Sequence, residues 1–222
     1  MLASLHLADV GRLRAIAILR RTPAPTRTPG LVYADLLGAA RLGAGQLPRP
    51  HPGRVALFAV WTDEAALDRF LAADPLAAAL AAGPAVRLSP LRTSGSWAGL
   101  PALVEDELPV ADDEPVAVLT YGRLKLHRVV PFLRASARAE ADVVADPALV
   151  IGTGLARPPR LVSTFSLWRS AAAMRDFAYR GPGHTGALQA VARRDFHRES
   201  IFIRFRPYGA TGDWGDLPPS LR

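Results

Sequence analysis

The sequence predicts an α+β chain of two tandem ferredoxin-like β-α-β-β-α-β repeats, packed sheet to sheet like a dimeric α/β barrel in a single chain. Three observations predict it: the chain repeats itself, each copy shows the same order of strand and helix patterns, and each half-sheet would have one bare face to cover. Val55 to Trp61 reads VALFAVW and runs into TDEAALDRF, while Val162 to Trp168 reads VSTFSLW and runs into RSAAAMRDF. At an offset of 107 residues Phe58 meets Phe165, Trp61 meets Trp168, Leu67 meets Met174 and Phe70 meets Phe177. At an offset of 117, Pro90, Gly95, Trp97, Leu100 and Pro101 meet Pro207, Gly212, Trp214, Leu217 and Pro218. Earlier, Gly11-Arg12-Leu13 corresponds to Gly122-Arg123-Leu124, and Pro29-x-Leu31-Val32 to Pro147-x-Leu149-Val150. Matched blocks in one order, with length changes only between them, mark an internal duplication.

Each element follows from its periodicity. The first copy, residues 1–100, has strands near 3–10, 31–37, 54–61 and 85–92, with helices from 12 to the low twenties and over 63–82. The second, residues 115–222, has strands near 115–121, 148–154, 160–168 and 200–207, with helices over 124–145 and 171–193. That order is the split β-α-β-β-α-β unit, whose helices cover one face of its sheet. The acidic, proline-bearing stretch 101–114 (PALVEDELPVADDE) reads as the linker between copies. Gly152-Thr153-Gly154 lacks the third glycine and following helix of a dinucleotide fingerprint, so it reads as a hairpin turn. Trp97 and Trp214, each in a Gly-x-Trp block after a last strand, read as plugs over the barrel ends.

Composition narrows the chemistry. The chain has 222 residues, half of them hydrophobic, and no cysteine, which excludes disulfides and thiolate-bound metal, haem or iron–sulfur sites. No run reaches the 18 or so apolar residues of a membrane helix, and Met1 to Val10 lacks a signal-peptide pattern; the expected location is cytoplasmic. The net charge of +7 comes from arginines spread along the whole chain, with Lys125 the single lysine. No nucleic-acid-binding motif accompanies them. They read as a solvated basic surface, consistent with weak peripheral contact with anionic membrane.

The copies differ most where chemistry is expected. Phe70 and Trp97 are 27 residues apart, but Phe177 and Trp214 are 37 apart. The extra length falls around RGPGHTGALQAVARRDFHRES, where Gly181-Pro182-Gly183 breaks the helix. A new helical stretch then places His184, Ala187, Leu188 and Val191 on one face. A histidine opening an apolar stripe suits an axial ligand to a flat apolar cofactor, and it equally suits a capping or surface residue. Among the other histidines, His6 alternates with Leu5 and Leu7 and is a candidate for the interior, and His51 sits in a Pro-rich loop facing solvent. His127 is on a basic helix and His197 precedes a strand. No pair of histidines stands at i, i+4, which disfavours zinc or non-haem iron.

Several blocks resemble the spheroidene monooxygenase family: Arg27-Thr28-Pro29-Gly30-Leu31; Phe165 to Trp168 with Ala173 to Ala178; Gly181-Pro182-x-His184; and Arg204-Phe205-Arg206 followed by Gly212-x-Trp214-Gly215. The resemblance runs from about residue 4 to 215 and is most specific over 161–215. The second strand, Val32 to Leu36, departs from the aromatic and lysine residues the family carries there, and Gly152 to Arg157 lacks the family's acidic residue. The resemblance implies a haem-dependent monooxygenase that inserts a keto oxygen at C2 of an acyclic carotenoid, with electrons from a ferredoxin. It implies His184 as the proximal iron ligand, with Leu188, Val191, Trp168 and Phe177 around the cofactor in an apolar cavity between the sheets. With no thiolate to assist oxygen–oxygen cleavage, His127, Arg128 and Arg204 are the candidate polar catalytic residues. Two other readings stand beside it: a cofactor-free oxygenase or isomerase of the same barrel type, and a non-enzymatic carrier of haem or an isoprenoid.

Overall fold

The computed structural model describes residues 1–43, 49–180 and 196–221. Along the chain run β1 (Leu2–Asp9), α1 (Arg12–Leu19), β2 (Leu31–Arg41), β3 (Arg49–Trp61), α2 (Glu64–Ala73), α3 (Pro75–Leu80) and β4 (Ala85–Ser96). They are followed by β5 (Val116–Leu124), α4 (Val129–Ala145), β6 (Leu149–Arg157), β7 (Leu161–Trp168), α5 (Ala171–Arg180) and β8 (His197–Thr211). The eight strands form one closed antiparallel barrel in the order β1-β3-β2-β6-β7-β5-β8-β4. The two four-strand sets therefore meet through their edges rather than stacking as separate layers. Gly38 to Ala40 pair with Ala156 to Gly154 at one seam, and β4 pairs with β8 along Ala85 to Ser96 at the other. Closure leaves no exposed sheet edge to satisfy.

Alternation decides what fills the barrel. Ala3, Leu5 and Leu7, Phe58, Leu88, Leu119, Phe165, Ile203 and Phe205 point inward and have 0% exposure. Side chains without accessible surface leave no void among them for a water, so the middle of the barrel is a packed core. The expected cavity between the sheets is closed there, because large aliphatic and aromatic residues occupy the inward positions of opposing strands. Trp97 and Trp214 belong to this core. Since β4 and β8 are antiparallel, the two tryptophans that follow them cap opposite ends of the barrel.

The halves share internal register. Leu2 and Leu31 both pair with Trp61, as Val116 and Leu149 both pair with Trp168. Trp61 lies on Phe70 with centroids 5.0 Å apart, and Trp168 on Phe177 at 5.1 Å. One block departs: Gly11 follows β1 as the residue before α1, whereas Gly122 lies inside β5 opposite Val162. That three-residue match is out of step with the strand pairing. Gly152 and Gly154 likewise lie within β6 instead of forming a turn, paired with Ser166 and Thr164 of β7, and Leu42 packs against the space where their side chains would stand.

Local chemistry sets the helix boundaries. A single helix expected over 63–82 is two helices, because Asp74 is extended before Pro75. Asp63 caps α2 by accepting from Ala66 N at 2.8 Å, and Asp74 caps α3 by accepting from Leu76 N at 2.7 Å. In the second half a 3₁₀ turn, Leu126–Arg128, precedes α4, which starts five residues later than expected. The stretch 101–114 contains neither helix nor strand and is pinned to both halves, with Leu108 N donating to Leu91 O of β4. Glu107 pairs with Arg92 and Arg204, Asp112 with Arg175, and Glu114 with Arg206. The carbonyls of Asp112 and Glu114 accept from the first residues of α5.

His6 does not face the interior. With Leu5 and Leu7 inside, His6 points outward, buried in the first half beside Ser4, whose Oγ also accepts from Trp61 Nε1 at 3.0 Å. Burial, helped by the charge of Arg87, pushes the His6 imidazole down to about 4. The unfolded side chain takes a proton near pH 6.5, so acid favours unfolding. Stability from this group is complete above about pH 6.5 and falls as the pH drops toward 4, by about 3 kcal/mol in all. Urea denaturation at pH 7.5 and 4.5 checks this: His6→Gln should lose less stability between the two pH values than the parent.

Candidate functional site

The outer faces of the two half-barrels differ in chemistry. In the first half, Val55, Leu57, Ala59 and Trp61 carry 0% exposure beneath helices α1 to α3. The corresponding positions in the second half are Val162, Thr164, Ser166 and Trp168, and the first three remain half-buried. Thr120 beside them is also half-buried, its Oγ 2.7 Å from that of Thr164 and accepting from Thr164 N. Small polar residues thus replace large apolar ones at the centre of this face.

α4 spans that face without sealing it. None of its described residues is fully buried. Near its start, Phe132 packs edge-on against Phe196 and His197, at 5.6 and 5.2 Å. Near its end, Val143 joins the cluster of Leu149, Trp168 and Met174, and Ala141 and Val144 rest on Gly43. Helical spacing puts Ser136 and Ala139 on the same face as Phe132 and Val143. The middle of the helix therefore turns the small side chains of Ser136 and Ala139 toward the side of Thr120, Gly122 and Thr164, with the half-buried Glu140 accepting from Ser136 Oγ at 2.9 Å. The result is a half-buried strip of small and polar residues, which we call the slot, with an aliphatic–aromatic wall of Trp168, Phe177 and Met174 on the α5 side. Ser166 Oγ accepts from Trp168 Nε1 at 2.9 Å and fixes that ring.

A small residue is needed at position 122. A Cβ there would meet His197 Nε2 at 2.7 Å, so Gly122 lets the imidazole lie against the sheet at the slot's edge. A floor of glycine and threonine, flanked by apolar rings and an imidazole, has the chemistry of a site for a flat apolar cofactor. Apolar rings beside an imidazole are residue types that hold haem.

The expected site residues separate accordingly. Trp168 and Phe177 come together at the slot wall. His184, Leu188 and Val191 lie outside the described residues. His127 is exposed and Arg128 half-buried in the turn before α4. Arg204 is buried on the outer face, in an ion pair with Glu107, and stands opposite Val118 far along β5 from that turn. The structure therefore does not bring His127, Arg128 and Arg204 together. Among the described residues, no group of three or more His, Asp or Glu has metal-site geometry.

A second polar constellation, not anticipated from the sequence, lies at one end of the barrel interior. Asp35 is buried and ion-paired with Arg157, and it accepts from Tyr33 OH at 3.1 Å. Tyr33 accepts from Trp97 Nε1 at 2.9 Å, and Trp97 lies between Tyr121 and the guanidinium of Arg123. Burial raises the Asp35 carboxyl despite the attraction of Arg157, and burial with the nearby carboxylate pushes both tyrosines above their ordinary range. Tyr121 OH and Ser163 Oγ, neighbours across β5 and β7, have no hydrogen-bond partner among the described residues. The only hint in the sequence was the departure of the second strand and the Gly152 to Arg157 segment from the family pattern, which carry Asp35 and Arg157.

No family model matches the chain. It is 34% identical over 191 residues to a spheroidene monooxygenase of Rubrivivax gelatinosus, covering 84% of this chain and 72% of that protein. It is 30% identical over 208 residues to one from Rhodobacter capsulatus, covering 91% and 86%. Among solved structures, an aldoxime dehydratase in complex with butyraldoxime aligns with a TM-score of 0.52 at 12% identity, covering 93% of this chain and 79% of that one. A second aldoxime dehydratase gives 0.52 at 13%, covering 96% and 81%. These two likenesses extend to the fold alone.

Proposed function

The chain belongs to the spheroidene monooxygenase family and is an oxidoreductase; on that premise we propose that it is a haem-dependent monooxygenase of a lipophilic substrate, an acyclic carotenoid being the leading candidate. The observation that carries this reading is the slot between α4 and the outer face of the second half-barrel. Both anchors of the segment bearing His184 border it: α5 through Phe177 on one side, and Phe196 with His197 on the other. In this reading His184 ligates the iron and the slot takes the place of the expected inter-sheet cavity.

Haem, when bound, supplies the iron that activates dioxygen for oxygen insertion. The chain's own residues do the rest. Trp168, Phe177 and Met174 keep water from the apolar side of the slot. The hydroxyls of Thr120 and Thr164 and the imidazole of His197 supply the polar contacts that orient bound groups, a role His127 and Arg204 cannot share from their positions. Electrons come from a small donor such as a ferredoxin. We further read the two halves as ferredoxin-like repeats, 1–100 and 115–222 joined by 101–114, of which only the second has opened a cofactor site.

The test has two stages. Titration of the purified protein with hemin should produce a Soret band with saturating one-to-one stoichiometry. The loaded protein, given a reductase–ferredoxin couple, spheroidene and labelled dioxygen, should place label in the carotenoid. Haem binding without label in any carotenoid would leave a carrier. The buried Asp35, Tyr33 and Tyr121 constellation favours a second reading, a cofactor-free oxygenase acting inside the barrel end. Turnover by haem-free protein that is lost in Asp35→Asn would establish it.

A further inference from the structure

Helix α1 is inverted for a surface helix. Its core-facing residues are Ala15 and Ile18, while Leu13 is 86% exposed and Ile16 54% exposed. At 100° per residue, Leu13, Ile16 and Ala17 share the outward face. Arg12 and Arg14 flank that stripe on either side, and Arg20 and Arg21 follow its end. From Val10 to Ala34 the chain carries these four arginines and Arg27 but no Asp or Glu. None of the five makes an ion pair among the described residues. Arg12 also joins Arg41, Arg49 and His51 around a hollow of about 380 Å³ beside Asp9 and Gly11. An apolar ridge rimmed by unpaired guanidiniums is costly in water but suits the boundary of an anionic bilayer. There the two apolar side chains enter the acyl region and the arginines reach back to the headgroup phosphates.

We propose that the outward face of α1 is the surface by which the protein docks on an anionic membrane, with Leu13 and Ile16 as inserted residues and Arg12, Arg14, Arg20 and Arg21 as headgroup contacts. The proposal goes beyond the assignment of the cofactor slot and does not depend on it. Two apolar residues on a helix of eight make a reversible contact, so binding is weak without negative lipid and sensitive to salt.

Vesicle sedimentation of the full chain tests it, with phosphatidylglycerol–phosphatidylcholine vesicles set against phosphatidylcholine alone. The parent should partition onto the anionic vesicles and be released at high salt. Leu13→Gln with Ile16→Gln should lower the partition coefficient roughly tenfold or more. Arg14→Gln with Arg20→Gln should lower it roughly 30-fold. All four positions are exposed, so circular dichroism and thermal midpoints should match the parent. Equal partitioning of parent and variants would overturn the proposal. So would absence of anionic binding combined with a dimer that Leu13→Gln with Ile16→Gln converts to monomer, which would assign the face to a second copy of the chain.

Discussion

His184→Ala should weaken haem binding by roughly 100-fold, measured as loss of the Soret band on hemin titration. The chain has no cysteine, which leaves imidazole as the strongest axial donor it offers. His51→Ala should bind haem normally, because His51 faces Asp9 at 3.8 Å on β3, in the hollow beside α1. His197→Ala is the informative companion. His197 lies against Gly122 at the slot's edge, where it can orient bound groups or, if His184 is not the ligand, replace it. A normal spectrum in His184→Ala together with its loss in His197→Ala would move the iron ligand to β8.

Filling the slot should act almost as strongly while leaving the fold intact. Thr164 stands where the first half carries Leu57, which is buried beneath helices without strain on the barrel. Thr164→Phe places a ring on the small-residue floor under Ser136 and Ala139. It leaves the backbone pairing of β7 with β5 and β6 in place. Hemin affinity should fall about tenfold or more, with little change in thermal midpoint. The contrasting substitution, Thr120→Ser, keeps the hydroxyl and the space and should bind haem as the parent does. Unchanged affinity in Thr164→Phe would place the cofactor away from this face.

What the sequence determined by itself is local and periodic. Strand and helix order followed from alternation and three-to-four spacing, and the matched Trp61–Phe70 and Trp168–Phe177 blocks proved to be equivalent ring pairs, because each lies within one strand–helix unit. The resemblance of 161–215 likewise marks the family within the sequence alone. Features set over long distances could not be read in the same way. Gly152 and Gly154 looked like a turn, yet they are flat strand positions that receive Leu42 from the other half. His6 had the alternation of an interior residue next to Leu5 and Leu7, but only closure of the barrel decided which of the two faces was inside. The Asp35–Arg157 pair joins residues 122 positions apart across the β2–β6 seam, and no local pattern announces such a partner. The slot is a tertiary feature as well. It arises because the large apolar contacts of α4 among the described residues come near its ends, through Phe132 and Val143, beside threonines and a glycine that in sequence look like ordinary strand residues.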